Sequence, residues 1–128
     1  LNLLRNSLQA LTSPEVDHQL GEIILRTRIS RNITIASKFY KLAVAIEIID
    51  NGPGIPQEIS ETIFYPMISG RPDGSGLGLP ISHGIVTQHG GMIECDSKPG
   101  ETKFTVTMPI KRNSKFSTSK VQQVNELK

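Results

Sequence analysis

The apolar positions change period several times along the chain, and each change predicts an element. Leu1, Leu4, Leu8 and Leu11 recur at helical spacing, so residues 1–11 read as an amphipathic helix. Asn2, Asn6 and Gln9 lie about one turn apart on a different stripe of it. Thr12-Ser13-Pro14 ends the helix, and residues 15–21 read as loop. Residues 22–30 (EIILRTRIS) alternate and are rich in Ile, which predicts a strand. Arg31-Asn32 and Ser37-Lys38 are candidate turns. Residues 42–49 (LAVAIEII) form a second strand, antiparallel to the first. Pro56 opens a short helix to about Ile63. Residues 65–79 form a Pro/Gly-rich loop. Pro80 can take the first position of a helix that continues over residues 81–88 and is stopped by His89-Gly90-Gly91. Residues 92–97 and 102–110 predict a hairpin around Lys98-Pro99-Gly100, whereas residues 111–128 are polar, lack an apolar stripe and read as a mobile tail or an extension. This order predicts an α+β fold with helices on one face of a mainly antiparallel sheet, not a doubly wound parallel one.

Composition narrows the function classes. The chain has 128 residues, enough for one domain with one modest core. It has no Trp, so the core is expected to rest on Leu, Ile and Val. The formal charge of +2 is concentrated, because residues 111–128 carry five basic residues against Glu126 alone. The remainder is near neutral, which argues against nucleic acid as the main ligand. No apolar run approaches the ~18 residues of a membrane span. Cys95 stands alone, which excludes an intrachain disulfide and fits a reducing, cytoplasmic setting. The chain opens inside a helix without an initiator Met, so a fragment of a longer protein is expected.

Candidate chemistry gathers where the glycines do: ten of the eleven lie between Gly52 and Gly100. Asp50-Asn51-Gly52-Pro53-Gly54 follows a hydrophobic strand. A carboxylate at a strand end can accept a hydrogen bond from an exocyclic amine such as that of adenine, and an ordinary Asx-Gly turn explains the same residues. Gly74-Ser75-Gly76-Leu77-Gly78-Leu79-Pro80 runs into a helix, where backbone N–H groups favour anions. Its spacing resembles GxGxxG, but no βαβ unit surrounds it, which disfavours a dinucleotide site. Gly100-Glu101-Thr102 reads by itself as a hairpin turn. Asn2 and Asn6 share a helix face, either as amide oxygens suited to Mg²⁺ or as simple surface polarity.

Taken in this order, the clusters resemble the catalytic, ATP-binding domain of sensor histidine kinases, within the wider family that includes gyrase, Hsp90 and MutL. Asn2 to Asn6 resembles the N box, and Asp50-Asn-Gly52-Pro-Gly54 the G1 box. Ile63-Phe64-Tyr-Pro66-Met resembles the F box, Gly74-Ser-Gly76-Leu-Gly78-Leu the G2 box and Gly100-Glu-Thr102 the G3 position. The resemblance covers residues 1 to about 110 and leaves 111–128 outside. Residues 64–71 (FYPMISGR) most resemble the nitrogen-sensor kinases of the NtrB subfamily.

The resemblance implies a two-layer α/β sandwich of the Bergerat type, here without the strand and the helical turn that normally precede the N box. It implies that Asp50 binds the adenine amino group, with Thr102 helping through water, and that Gly52 and Gly54 make room for the base. Asn6 would bind Mg²⁺, and Asn2 would line the same face. Residues 67–76 would be a lid over ATP. Gly74, Gly76, Leu77 and Gly78 would meet the phosphates, and Arg71 the γ-phosphate. Two positions depart from the pattern: Ser7 replaces the usual Ala, and Gln9 stands where some relatives have a phosphate-contacting Lys. The phosphate acceptor would be a histidine on a separate dimerisation domain, since His18, His83 and His89 lack a phosphoacceptor setting. The implied partners are that domain, an NtrC-like response regulator and the signal protein PII, in a homodimeric full-length kinase with a monomeric fragment. Hydrolytic relatives place a Glu one turn before the metal-binding Asn. Asn2 occupies that position, which favours phosphate transfer over hydrolysis. An anti-sigma serine kinase and a non-catalytic ATP-binding module are the other readings.

Overall fold

The computed structural model describes residues 1–14, 16–17, 20–66 and 78–111. Two helices, α1 (Asn2–Leu11) and α2 (Gly78–Gln88), accompany four strands: β1 (Ile23–Ile35), β2 (Lys38–Asp50), β3 (Met92–Lys98) and β4 (Glu101–Pro109). The sheet order is β1-β2-β4-β3, with every described pairing antiparallel. The expected α+β sandwich is present, with both helices on one face of the sheet.

Alternation along β2 divides that sheet into two faces. Ile48 points toward the helices and joins Leu3 of α1, Ile63, Ile93 of β3 and Phe104 of β4 in the buried core. The aliphatic core expected from composition is thus completed by one aromatic ring. On the opposite face lies Glu47, directly across from Arg26 of β1. Its buried carboxylate accepts from Arg26 Nε at 2.6 Å and Arg28 Nε at 3.1 Å.

Helix α1 presents a different face from the one its leucines suggest. Leu3 and Ser7 are buried, whereas Leu1, Leu4 and Leu8 are exposed. The small residues Ser7 and Ala10 let the helix approach the end of β2. Helix α2 begins at Gly78, two residues before the expected Pro80, whose missing N–H costs nothing in a first turn. It ends as predicted. Gly90 adopts φ +77°, Gly90 N–H bonds the Thr87 carbonyl at 3.0 Å and Gly91 N–H bonds that of Val86 at 2.9 Å, the paired bonds of a Schellman motif.

Two local expectations are corrected. The first strand does not turn at Arg31-Asn32. It continues to Ile35 in one register, with Arg31 opposite Leu42 and Ile33 opposite Tyr40. Asn32 accommodates φ 53° within it, as Asn tolerates left-handed backbone better than most residues. The hairpin turns at Ala36-Ser37, both at positive φ, one residue before the predicted turn. The expected helix at 56–63 is a succession of turns. Its N–H groups bond three residues back, from Ile59 to Pro56 and from Thr62 to Ile59. Ser60 Oγ and Thr62 Oγ1 bond the carbonyls of Gln57 and Ile59, so the hydroxyls compete for groups that a helix would use. Ile63 still reaches the core.

Among the described residues, no helix is long and apolar enough to cross a membrane.

The Arg26 and Arg28 guanidiniums, in that order, hold the Glu47 carboxyl below the ordinary carboxylate range, against the opposing effect of burial. A depressed folded-state pKa stabilises the fold above the unfolded value of about 4.3, and that stability is lost as pH falls through the folded value. Glu47→Gln should therefore lower the urea midpoint at pH 7, and the gap between variant and parent should shrink when the titration is repeated at pH 3.

Candidate functional site

Asp50 is the last residue of β2, and Thr102 faces it directly across the ladder to β4. Fifty-two positions of sequence separation thus collapse to one cross-strand pair. Both side chains are buried, at 2% and 5% exposure. They lie on the helix side of the sheet, two residues from Ile48 and Phe104 respectively. Asp50 Oδ1 accepts the Gly52 N–H at 3.0 Å. Thr102 Oγ1 shares a hydrogen bond of 2.8 Å with Ser97 Oγ, which also accepts the Ile55 N–H at 2.9 Å. The segment after Asp50, β3 and β4 are therefore tied together by a short polar chain from Ile55 through Ser97 to Thr102.

The two glycines of this turn have steric reasons that involve protein. A Cβ on Gly52 would stand 2.9 Å from Asp50 Oδ1 and 3.0 Å from Ala10 Cβ. A Cβ on Gly54 would stand 2.6 Å from the Lys98 carbonyl oxygen, and Gly54 has φ +89°. These glycines let α1 and the β3–β4 hairpin close on the Asp50 turn. At Gly78 a Cβ would meet nothing within 4 Å, so no described neighbour demands that glycine.

Asn2 lies where α1 meets the start of α2, its Nδ2 3.4 Å from the Gly78 carbonyl. Asn6 follows one turn later on the same helix face and is half-buried. The asparagine face, the N-terminus of α2 and the Asp50–Thr102 pair thus share the helix side of the sheet. Phe64 holds the chain just before residue 67: its ring lies 5.3 Å from the His83 ring of α2 and 6.5 Å, edge-on, from Phe104. Arg71, Gly74, Gly76, Leu77, the expected lid at 67–76, His18 and the tail beyond Lys111 lie outside the described residues.

Sequence reasoning missed two supports. Asn51 clamps the entry loop to the Asp50 turn, with Nδ2 donating to the Leu20 carbonyl at 2.7 Å and Oδ1 accepting the Glu22 N–H at 2.7 Å. Ser97 bridges Thr102 and Ile55. Its only advance signal was its place opposite Thr102 in the predicted hairpin. Cys95 is not a reactive thiol: burial first, then Asp96 and Asp50, pushes its pKa up to about 12. A pocket lined by Val16, Asn51, Gly52, Pro53 and Pro99 opens beside the Asp50 turn and shares Gly52 with it, although Asp50, Thr102 and Asn6 do not line it.

A buried carboxylate beside a buried hydroxyl, with an amide-bearing helix face and the first described turn of α2 on the same side of the sheet, suits a nucleotide-binding class of protein. Comparison agrees. Residues 1–112 match the family described as histidine kinase-, DNA gyrase B- and HSP90-like ATPase, and the chain belongs to that family.

Within the family, the chain is an NtrB-like ATP-binding domain. It is 51% identical over 112 residues to the sensory histidine kinase/phosphatase NtrB of Escherichia coli O157:H7, covering 88% of this chain and 31% of that protein. It is 37% identical to NtrB of Rhodobacter capsulatus, covering 86% and 30%. The chain thus spans about a third of these relatives. Among solved structures, the catalytic domain of histidine kinase ThkA superposes with a TM-score of 0.63 at 27% identity, over 84% of this chain and 61% of that one. The mycobacterial sensor histidine kinase MprB superposes at 0.61 and 26%, over 85% and 68%.

The glycine geometry yields a contrast. Gly54→Ala must adopt left-handed backbone and displace the Lys98 carbonyl, so it should cost about 1–3 kcal/mol of stability. Gly78→Ala should leave stability unchanged or raise it by up to ~1 kcal/mol, because Ala is the better helix former. Urea denaturation of the two variants beside the parent checks both.

Proposed function

We propose that this chain presents ATP to a histidine on a separate dimerisation domain, as the catalytic part of an NtrB-like sensor kinase. The observation that carries the reading is the Asp50–Thr102 pair, buried on the helix side beside the asparagine face of α1. Asp50 accepts from the adenine amino group, and Thr102 supports the base through water. Gly52 and Gly54 keep the turn close to the base by letting α1 and β3 pack against it. The N-terminal N–H groups of α2 at Gly78 receive the phosphates. Gly74, Gly76 and Leu77 extend that cradle, Arg71 steadies the γ-phosphate and Asn2 lines the phosphate side.

Mg²⁺ suits the donors at hand. Among the described residues, no group of three His, Cys, Asp or Glu forms a cage, and Asn6 offers one hard amide oxygen. Such an ion, completed by phosphate oxygens and water, would neutralise charge on the triphosphate. Phosphoryl transfer then requires positioning more than covalent chemistry from the protein. The bond from the γ-phosphorus to its bridging oxygen breaks, a bond to the acceptor imidazole nitrogen forms and ADP leaves. No described group acts as a base for water at the α1 position one turn before Asn6. Asn2 sits there, and an amide cannot take a proton at neutral pH. That observation favours transfer over hydrolysis.

The family resemblance adds as partners an NtrC-like response regulator, which receives the phosphate from the phosphohistidine, and the signal protein PII. The whole protein is a cytoplasmic homodimer whose catalytic part, residues 1–110, is monomeric alone.

The test combines the chain with ATP-Mg²⁺ and a separately made phosphoacceptor domain. Phosphohistidine should accumulate with the parent chain. Asp50→Asn, which keeps the shape but loses the carboxylate, should weaken ATP binding at least tenfold by calorimetry and slow phosphorylation. ATP binding without any phosphohistidine would reduce the chain to a binding module. Unchanged affinity in Asp50→Asn would remove the adenine assignment.

A further inference from the structure

Ser97 of β3 stands directly opposite Thr102 of β4, which in turn faces Asp50 of β2. Cross-strand neighbours in one row share a face, so all three side chains stand on the helix side of the sheet. Thr102 is buried and Ser97 is half-buried. Their hydroxyl oxygens are 2.8 Å apart, and Ser97 Oγ also accepts the Ile55 N–H at 2.9 Å. Gly54 makes the second bond possible. A Cβ there would stand 2.6 Å from the carbonyl oxygen of Lys98, the neighbour of Ser97. Among the described residues, these two hydroxyls make no other hydrogen bonds.

Each hydroxyl has one proton, so the bond between them runs in one direction. If Thr102 donated, its proton would turn toward Ser97 and away from the Asp50 carboxylate across the ladder. A negative charge one strand away draws that proton to its own side instead. The Ile55 N–H occupies a lone pair of Ser97 and leaves the Ser97 proton free to donate. Both requirements are met by a one-way chain: Ile55 N–H to Ser97, Ser97 to Thr102, and the Thr102 O–H turned toward the Asp50 side. Each bond in such a chain polarises the next. An acceptor carboxylate and a donor hydroxyl then stand side by side on adjacent strands. A 6-aminopurine carries the complement on one edge, a donor amino group beside an acceptor ring nitrogen.

We propose that Ser97 is a positioning residue for purine recognition: held by the Ile55 N–H, it donates to Thr102 and so commits the Thr102 hydroxyl to donate toward the base. Ser97 itself touches no nucleotide. Asp50 distinguishes the amino group, and Ser97, acting through Thr102, distinguishes the ring nitrogen beside it. Without Ser97, the Thr102 hydroxyl is free to rotate and to serve as donor or acceptor alike. The inference rests on the ATP-binding reading and adds to it the group that sets the polarity of the site.

The test measures, by calorimetry, the affinity of the 128-residue chain for ATP-Mg²⁺ and for 1-deaza-ATP-Mg²⁺, in which a C–H replaces that ring nitrogen. The same two ligands are titrated into Ser97→Ala and Ser97→Thr. The parent should prefer ATP roughly fivefold to thirtyfold. Ser97→Ala should reduce the preference to within about threefold, whereas Ser97→Thr, which keeps the hydroxyl, should retain it. A mere brace would weaken both ligands equally, so an unchanged preference in Ser97→Ala would overturn the proposal. A parent that binds ATP without preferring it to 1-deaza-ATP would overturn it too. Ser97→Cys, whose thiol is a weak donor, reads the same loss should Ser97→Ala fail to fold. No binding of ATP by the parent would instead remove the ATP-binding reading itself, and the proposal with it.

Discussion

The antiparallel register between β2 and β4 sets Asp50 against Thr102, and everything else in the site is arranged around that pair. Slipping the register by one residue would turn both side chains to the opposite face of the sheet, away from the helices. Across that ladder Ile48 stands opposite Phe104 in the core, while the neighbouring pairings are fixed separately, β1–β2 by Glu47 with two arginines and β3–β4 by the Ser97–Thr102 hydrogen bond. The apolar face of β2 thus aligns it with β4, and its charged face aligns it with β1.

The glycines divide the labour in a way their clustering conceals. Gly52 and Gly54 stand where another part of the chain comes too close for a Cβ, and Gly90 and Gly100 take left-handed backbone at a helix end and a hairpin turn. They build the frame. Gly78 is crowded by nothing described, and it lies at a helix N-terminus next to Asn2. Structural economy accounts for the first group, whereas no described neighbour accounts for the last.

Much of this was legible because some residues have few conformational options. Pro99-Gly100 could only turn, His89-Gly90-Gly91 could only stop a helix, and a carboxylate closing an alternating strand could be placed on a definite face. The misreadings share a cause: local signals that tertiary context outweighed. Arg31-Asn32 resembled a turn, but twelve cross-strand pairs carry β1 past it. Pro56 resembled a helix start, but the hydroxyls of Ser60 and Thr62 claim the carbonyls a helix would use. The leucine stripe of α1 suggested the buried face, yet Leu3 and Ser7 are the buried positions and Ala10 faces the Gly52 turn, where only a small residue permits so close an approach. Asn51 carried no signal of its bridging role and Ser97 only its place opposite Thr102, since a side chain that bridges two segments is recognisable only once both are in place. The family resemblance supplied the roles, and the fold supplied the reasons for them.

If the buried carboxylate reads the adenine amino group, the site must reject a purine that carries an acceptor there. The most direct measurement compares the affinity of the chain for ATP and for inosine triphosphate, which differ at the base in having an amino group or an oxo group at position 6. A site that hydrogen-bonds a group discriminates strongly against its absence, because its own polar atoms are left unpaired. ATP should bind at least tenfold more tightly. Equal affinity for the two would contradict the account.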